Sequence, residues 1–236
     1  MLVISQPTYL PWIGYFALIN ESNKFVFLDD VQFNTRSWQQ RNRILNTDKI
    51  GYLTLPIKKK GQQNQLINKS HINDKNIYKK HLKTIYHCYA NTKYFKKYFG
   101  FFEEVLTSCE KFNYLSDVNI FLIKKICKLI DIDLNYTLSS SIGSKGKKTD
   151  KLIDICINLN QKKYLTNEGA MEYINQEKYK FDNNKIRLYQ INVVNYSYNQ
   201  KSNVFFEKLS IIDVIFNEGQ KSKDIIKNSY TILDIK

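Results

Sequence analysis

The sequence predicts an α/β fold: an N-terminal parallel-sheet domain of the nucleotide-binding kind, joined to a substantial helical part. Three observations predict it. Two short apolar runs, Leu2–Ser5 and Phe25–Leu28, flank one helical segment within the first 30 residues; strand, helix, strand at that spacing makes a βαβ unit with parallel strands. Apolar residues then recur every three or four positions from Lys75 to about Ile130, the period of helices packed on a core. Strand-like runs return after Leu134. The 236 residues read as a single α/β domain, with a mainly helical insertion or subdomain at about 75–130.

The elements follow in order. Leu2–Ser5 is a buried strand ended by Gln6-Pro7, and Gly14–Ser22 is a helix with Tyr15, Leu18 and Ile19 on one face. Phe25–Leu28 is closed by Asp29-Asp30. Tyr52–Ile57 and Ile67–Ile72 are further strand candidates, with a polar loop, Lys58–Gln65, between them. Ile77, His81, Ile85, Cys88 and Tyr89 define the first long helix; Phe101–Cys109 and Val118–Ile130 repeat the pattern. Leu134–Ser139 returns to strand character, Ser139–Thr149 reads as a mobile loop, and Thr149–Asn158 as a helix. Lys163–Thr166 and Ile186–Val194 are strands. Leu209–Phe216 is the final amphipathic helix, capped by Ser210 and ending towards Gly219.

Composition narrows the class. No run of about 18 apolar residues exists, so no membrane-spanning helix is expected, and the start lacks the pattern of a secretory signal. Cys88, Cys109, Cys127 and Cys156 are widely spaced with no CxxC, as expected of reduced thiols in a cytoplasmic protein. Only three histidines occur, so a zinc site has little support. The net charge of +14 comes almost wholly from lysine. Scattered lysines usually form a solvated face; the functional reading is attraction of an anion such as a nucleotide, a nucleotide-sugar or RNA.

Scarce residue types concentrate at the N-terminus. Two of three prolines (Pro7, Pro11), both tryptophans (Trp12, Trp38) and three of four arginines (Arg36, Arg41, Arg43) lie there. A strand whose loop feeds a helix N-terminus presents free backbone amides to anions, and Gly14 at the helix start permits close backbone approach. Gln6, Tyr9, Pro11, Trp12, Gly14 and Tyr15 are therefore candidate binding residues, against the bland reading of a rigid, aromatic-packed loop. Asp29 and Asp30 fall where parallel sheets bind ligands, and are candidate catalytic residues that orient a hydroxyl, hold Mg²⁺ or accept an amine proton; a turn or a salt bridge to the arginines is the alternative. Gln32, Arg36, Trp38, Arg41, Asn42 and Arg43 combine guanidinium forks with a stacking ring, as phosphate recognition requires; an ion-pair network with Asp29, Asp30 and Asp48 is the alternative. His81 is a third catalytic candidate, although an apolar helix face also suits a structural histidine. Lys145 lies in a basic glycine loop that fails the GxxxxGK[ST] pattern. Tyr198 and Gln200 complete the binding candidates.

The spacing Pro11-Trp12-x-Gly14-Tyr15 resembles the loop of HUP-type, Rossmann-like adenylyl-forming domains. Two histidines normally stand at the positions of Trp12 and Tyr15, and their absence weighs against adenylyl transfer. A longer resemblance is to the WbqC-like proteins. It is carried by Gln6-Pro-x-Tyr-Leu-Pro-Trp-x-Gly-Tyr-Phe16, Leu28-Asp-Asp-Val-Gln-Phe33, Arg36-x-Trp-x-x-Arg-Asn-Arg-Ile44 and Leu53-x-x-Pro56. It continues through Lys80-His81, Lys151-Leu-Ile-Asp154, Tyr164-Leu165, Tyr198-x-Gln200 and Leu209-Ser-Ile-Ile-Asp213, nearly the full length. Thr166-Asn167-Glu168 departs from the Ser-Gly that usually follows Tyr-Leu. The resemblance implies an N-acyl or aminoacyl transferase or ligase acting on a nucleotide-linked amino sugar in bacterial surface-polysaccharide (O-antigen) biosynthesis. Its activated donor would be an adenylate made from ATP with Mg²⁺, a thioester or aminoacyl-tRNA. A non-catalytic nucleotide-sugar binder that partners a glycosyltransferase, and a tRNA-binding protein, are the alternatives.

Overall fold

The computed structural model describes residues 1–58, 64–194 and 196–235. Its centre is a six-stranded sheet in the order β5-β2-β1-β6-β7-β8, built from β1 (Leu2–Ser5), β2 (Lys24–Phe27), β5 (Tyr136–Leu138), β6 (Lys163–Asn167), β7 (Arg187–Val193) and β8 (Tyr230–Ile235). The first five strands are parallel and β8 pairs antiparallel to β7. The chain runs outward from β1 to β2 and β5, then returns to the other side of β1 for β6 and β7. Strand order reverses between β1 and β6, and such a switch opens a crevice at the carboxyl edge of a parallel sheet.

Side-chain alternation assigns the two faces. Val3, Phe25, Phe27, Leu165 and Ile191 enter one core cluster; Leu2, Ile4, Val26, Tyr164 and Leu188 enter the other. The first cluster takes α1 (Ile13–Glu21), the long helices α2 (Ile77–Tyr89), α3 (Phe95–Ser108) and α4 (Leu115–Leu129), and α9 (Ile211–Glu218) and α10 (Ser222–Lys227). The second takes α6 (Lys148–Asn158), α7 (Glu168–Gln176) and α8 (Lys178–Asn183). Both α1 and α9 are apolar almost all round because each is sandwiched between other elements. Ser210 caps α9 as expected, accepting from the Ile212 amide. Gly219 ends it at φ 58, where a Cβ would meet the Tyr94 ring at 2.8 Å.

Four expectations change. The strand expected at Tyr52–Ile57 begins earlier and ends at Thr54, as β4 (Lys49–Thr54), which forms an antiparallel hairpin with β3 (Arg41–Asn46); its partner strand, read as an arginine motif, carries alternating buried residues Asn42 and Ile44. Ile67–Ile72 holds a single 3-10 turn, Ile67–Lys69, because the backbone there pairs with loops: the amides of Ile67 and Asn68 donate to the carbonyls of Val31 and Asp29. The segment after Leu138 opens with a short helix, α5 (Ser139–Ile142), held by Asp29. The α9 helix is not the last element, since α10 and β8 follow. Within the predicted loop Lys58–Gln65, residues 59–63 lie outside the described residues. Among the described residues no helix is long and apolar enough to cross a membrane.

Candidate functional site

A cleft of about 780 Å³ opens at the carboxyl edge of β1, β6 and β7, at the switch in strand order. One side is the first loop and the start of α1: Gln6, Thr8, Trp12, Gly14 and Tyr15, with Trp38, Asn42 and Lys208 beside them. The other side is the end of β6 and the start of α7: Thr166, Asn167, Glu168, Gly169 and Glu172. These two sides come from opposite faces of the sheet.

The first loop is held by a dense set of hydrogen bonds. Asn42 Nδ2 donates to the carbonyls of Tyr9 (3.1 Å) and Leu10 (2.9 Å). Asn119 Nδ2 donates to the carbonyls of Pro7 (2.9 Å) and Gln39 (2.7 Å). Tyr15 donates its hydroxyl to Gln6 O at 3.0 Å, Ser210 Oγ donates to Leu10 O at 2.8 Å, and the Ile211 amide donates to Pro11 O at 2.8 Å. Leu10 sits at φ 44, a strained conformation for a branched residue that persists only where its surroundings over-determine it. Gln39 Nε2 donates to Gln6 Oε1 at 2.8 Å, so Gln6 presents a fixed side chain to the cleft.

The loop leads into α1 with no side-chain cap at Trp12. Its first amides and the positive end of the helix dipole favour an anion there. Gly14 lines the cleft and also meets Trp12: a Cβ there would lie 2.3 Å from Trp12 Cζ2. Glycine is needed so that the indole can lie over the helix start. Lys208 Nζ lies 5.9 Å from the Trp12 ring centroid, and the Arg43 guanidinium 5.1 Å from that of Trp38.

The remaining candidates occupy other places. Tyr9 is fully buried, and its hydroxyl meets His81 Nδ1 at 2.8 Å. Burial pushes His81 down to about 4, so the ring is neutral at pH 7 and ties the first loop to α2. Asp29 is only 3% exposed. It accepts from the Ser139 hydroxyl (3.0 Å), the Ser140 amide (3.0 Å), the Ser140 hydroxyl (2.7 Å) and Asn68 Nδ2 (3.2 Å). Asp30 takes Lys151 Nζ at 2.7 Å and also contacts the Ser139 hydroxyl. The partners of this aspartate pair are therefore serines and a lysine rather than the arginines, and neither aspartate lines the cleft. Gln32 is exposed and bonds Asn64 at 3.0 Å. Arg36 is exposed at φ 60. Arg41 lies over the Tyr52 ring at 4.8 Å. Among the described residues none of the three arginines forms an ion pair, and Asp48 accepts from Ser202 instead. The Lys145 side chain is exposed, and its amide donates to Asp154 at 2.8 Å.

Tyr198 and Gln200 stand at a buried carboxylate. Tyr198 and Tyr89 both donate to Asp213 at 2.9 Å, and Gln200 Nε2 donates to Tyr198 at 2.9 Å. Burial raises Asp213 to about 6, against the hydrogen bonds that favour its charged form. A second, smaller pocket of about 290 Å³ between α6 and α8 is lined by Asp150 and Lys180, which pair with each other at 2.8 Å.

Glu168, Glu172, Thr166 and Lys208 line the cleft without having been singled out as binding residues. A signal existed for Thr166 and Glu168: the strand Lys163–Thr166 runs into residues that depart from the Tyr-Leu-Ser-Gly pattern. What the sequence did not show is that β6 lies beside β1.

The profile of the WbqC-like protein family matches residues 6–225, from the first loop to α10. Uncharacterized protein Rv1507c of Mycobacterium tuberculosis (strain ATCC 25618 / H37Rv) is 27% identical over 227 residues, 96% of this chain and 97% of the relative. No solved structure matches the chain significantly. The chain belongs to the WbqC-like protein family, a membership consistent with a role related to polysaccharide biosynthesis.

Proposed function

We propose that this WbqC-like protein binds a nucleotide-linked amino sugar in the cleft and transfers an acyl or aminoacyl group to its amine, in the assembly of a bacterial surface polysaccharide. One observation carries the reading: the cleft has two electrical ends. The uncapped start of α1, Trp12 and Lys208 form one end; Glu168 and Glu172, one turn apart on α7, form the other. A diphosphate suits the first, an indole ring offers a stacking face for a base, and a sugar ammonium suits the carboxylates. In the transfer the amine nitrogen forms a bond to the acyl carbon and the bond to the donor's leaving oxygen or sulfur breaks. The nitrogen's proton passes to a carboxylate, for which Glu168 and Glu172 are better placed than Asp30, whose Oδ2 is occupied by Lys151. The donor is an activated acyl group: an adenylate made from ATP with Mg²⁺, a thioester or an aminoacyl ester on tRNA.

The test is calorimetric titration of UDP- and dTDP-linked sugars that differ only in amine against hydroxyl. Preferential binding of the amino sugar, reduced to parity by Glu168→Gln with Glu172→Gln, supports the reading. Absence of binding by any sugar nucleotide overturns it. A second reading, a non-catalytic nucleotide-sugar binder, is favoured by one feature: Tyr15, at a position where a histidine would serve adenylyl transfer, is buried with its hydroxyl committed to Gln6 O. Tight binding with no mass added to the sugar by any donor would select it.

A further inference from the structure

The outer face of the β3–β4 hairpin carries an alternating row of rings and guanidinium groups. Arg41 and Arg43 are two residues apart on β3 and so share a face; Tyr52 is the cross-strand partner of Arg43 and shares it too. Arg43 lies 5.1 Å from the centroid of Trp38, and Arg41 4.8 Å from that of Tyr52. The row therefore reads Trp38, Arg43, Tyr52, Arg41. Both rings are open to solvent, Trp38 at 45% and Tyr52 at 48% exposed. Neither guanidinium has a protein acceptor among the described residues, and the Nε of each is unpaired. The cross-strand partners of Arg41 and Arg43 are Thr54 and Tyr52, neither of them a carboxylate.

We propose that this row binds the single-stranded end of an RNA, with bases on Trp38 and Tyr52 and phosphates on Arg41 and Arg43. Aromatic faces alternating with cations match a chain whose repeat alternates base and phosphate, and stacking tolerates any base. Continuity with the cleft favours RNA over other polyanions: Trp38 both begins the row and lines the cleft. A strand laid along the row leads its terminus to the cleft, and an RNA 3′ terminus has the vicinal hydroxyls that can carry an acyl ester. That last step rests on the acyl-transfer reading; binding to the row does not.

The experiment is fluorescence anisotropy of the full chain with a labelled oligoribonucleotide of about six nucleotides, over a range of salt. Binding should weaken with a log–log salt slope of about −1.4, as expected for the two phosphates on Arg41 and Arg43 of a single strand. Tyr52→Ala and Trp38→Ala should each weaken it about 10-fold, and Arg43→Gln should flatten the slope by roughly 0.7. Tyr86→Ala, an exposed ring on α2, should leave it unchanged. No binding at about 50 mM salt overturns the proposal, as does binding that Tyr52→Ala and Trp38→Ala leave intact, the mark of diffuse attraction to lysines. Tighter binding of the matching oligodeoxynucleotide overturns the choice of RNA. Sugar-nucleotide titration of Tyr52→Ala is read separately and should match the parent chain, so failure of the cleft reading and failure of this one give different results.

Discussion

The ends of β1 and β2 lie side by side on the sheet, and the sequence marks both with unusual polar residues, yet they do opposite things. Beyond β2, Asp29 and Asp30 turn inward to Ser139, Ser140, Asn68 and Lys151. Beyond β1, hydrogen bonds from α1, β3, α4 and α9 hold the backbone and leave Gln6, Thr8 and Trp12 facing the cleft. The difference is one of which groups are satisfied. Where the polar side chains themselves are saturated by protein, they position α5 and α6. Where the backbone is saturated instead, side chains and helix amides are left for a ligand.

Lys151→Met makes the sharpest cut between the two ends. It leaves the Asp30 carboxylate half-buried without its cation and should cost about 3 kcal/mol in urea unfolding, while sugar-nucleotide affinity of the folded protein stays unchanged. Loss of affinity equal to that of a cleft variant would erase the distinction. Gly14→Ala should act at the other end on both counts: the new methyl displaces the Trp12 indole, costing roughly 1–3 kcal/mol of stability and weakening cleft binding. Trp12→Ala should lower affinity about 10-fold and, because the half-buried indole packs against the core, should lower the unfolding midpoint as well.

The smallest effect is on pH dependence. His81 is held near 4, below the usual histidine value of 6.5. Its contribution to stability is full above pH 6.5 and is lost as pH falls from there towards 4, because only the unfolded chain takes up the proton. Asp213 is raised from 3.8 to about 6. Its contribution is full below pH 3.8 and is lost as pH rises through 6. The two oppose each other between pH 4 and 6, so in urea midpoints of the parent chain each partly masks the other. Asp213→Asn should unmask the histidine, with midpoints that climb as pH rises from 4 to 6.5. A flat profile in that variant would show that His81 is not held neutral by burial.

Much of the site was legible because it is local. Strand, loop and helix from Leu2 to Glu21 follow from apolar periodicity bounded by Pro7 and Pro11, and Trp12 with Gly14 announced a special helix start. The aspartates were legible as unusual but not in their role, since Lys151 and Ser139 lie more than a hundred residues away in the chain. Arg41 and Arg43 were read as phosphate-binding candidates; what the sequence did not show is that their strand pairs with β4 and that alternation puts them on the face opposite Asn42. Glu168 and Glu172 went unweighed because a carboxylate in a first helical turn, as Glu168 is, looks like an ordinary helix-dipole partner, and Glu172, one turn on, like part of a solvated helix face.

By itself the sequence determined the α/β class, the βαβ start, the helical middle and the family, because these depend on periodicity and on residues close together in the chain. The tertiary structure alone decided which side of β1 the later strands join. That choice sets the switch between β1 and β6, and with it which polar residues face a cleft and which saturate one another. Strand order depends on contacts between segments about 160 residues apart, where burial and pairing are settled by the whole core rather than by any local pattern.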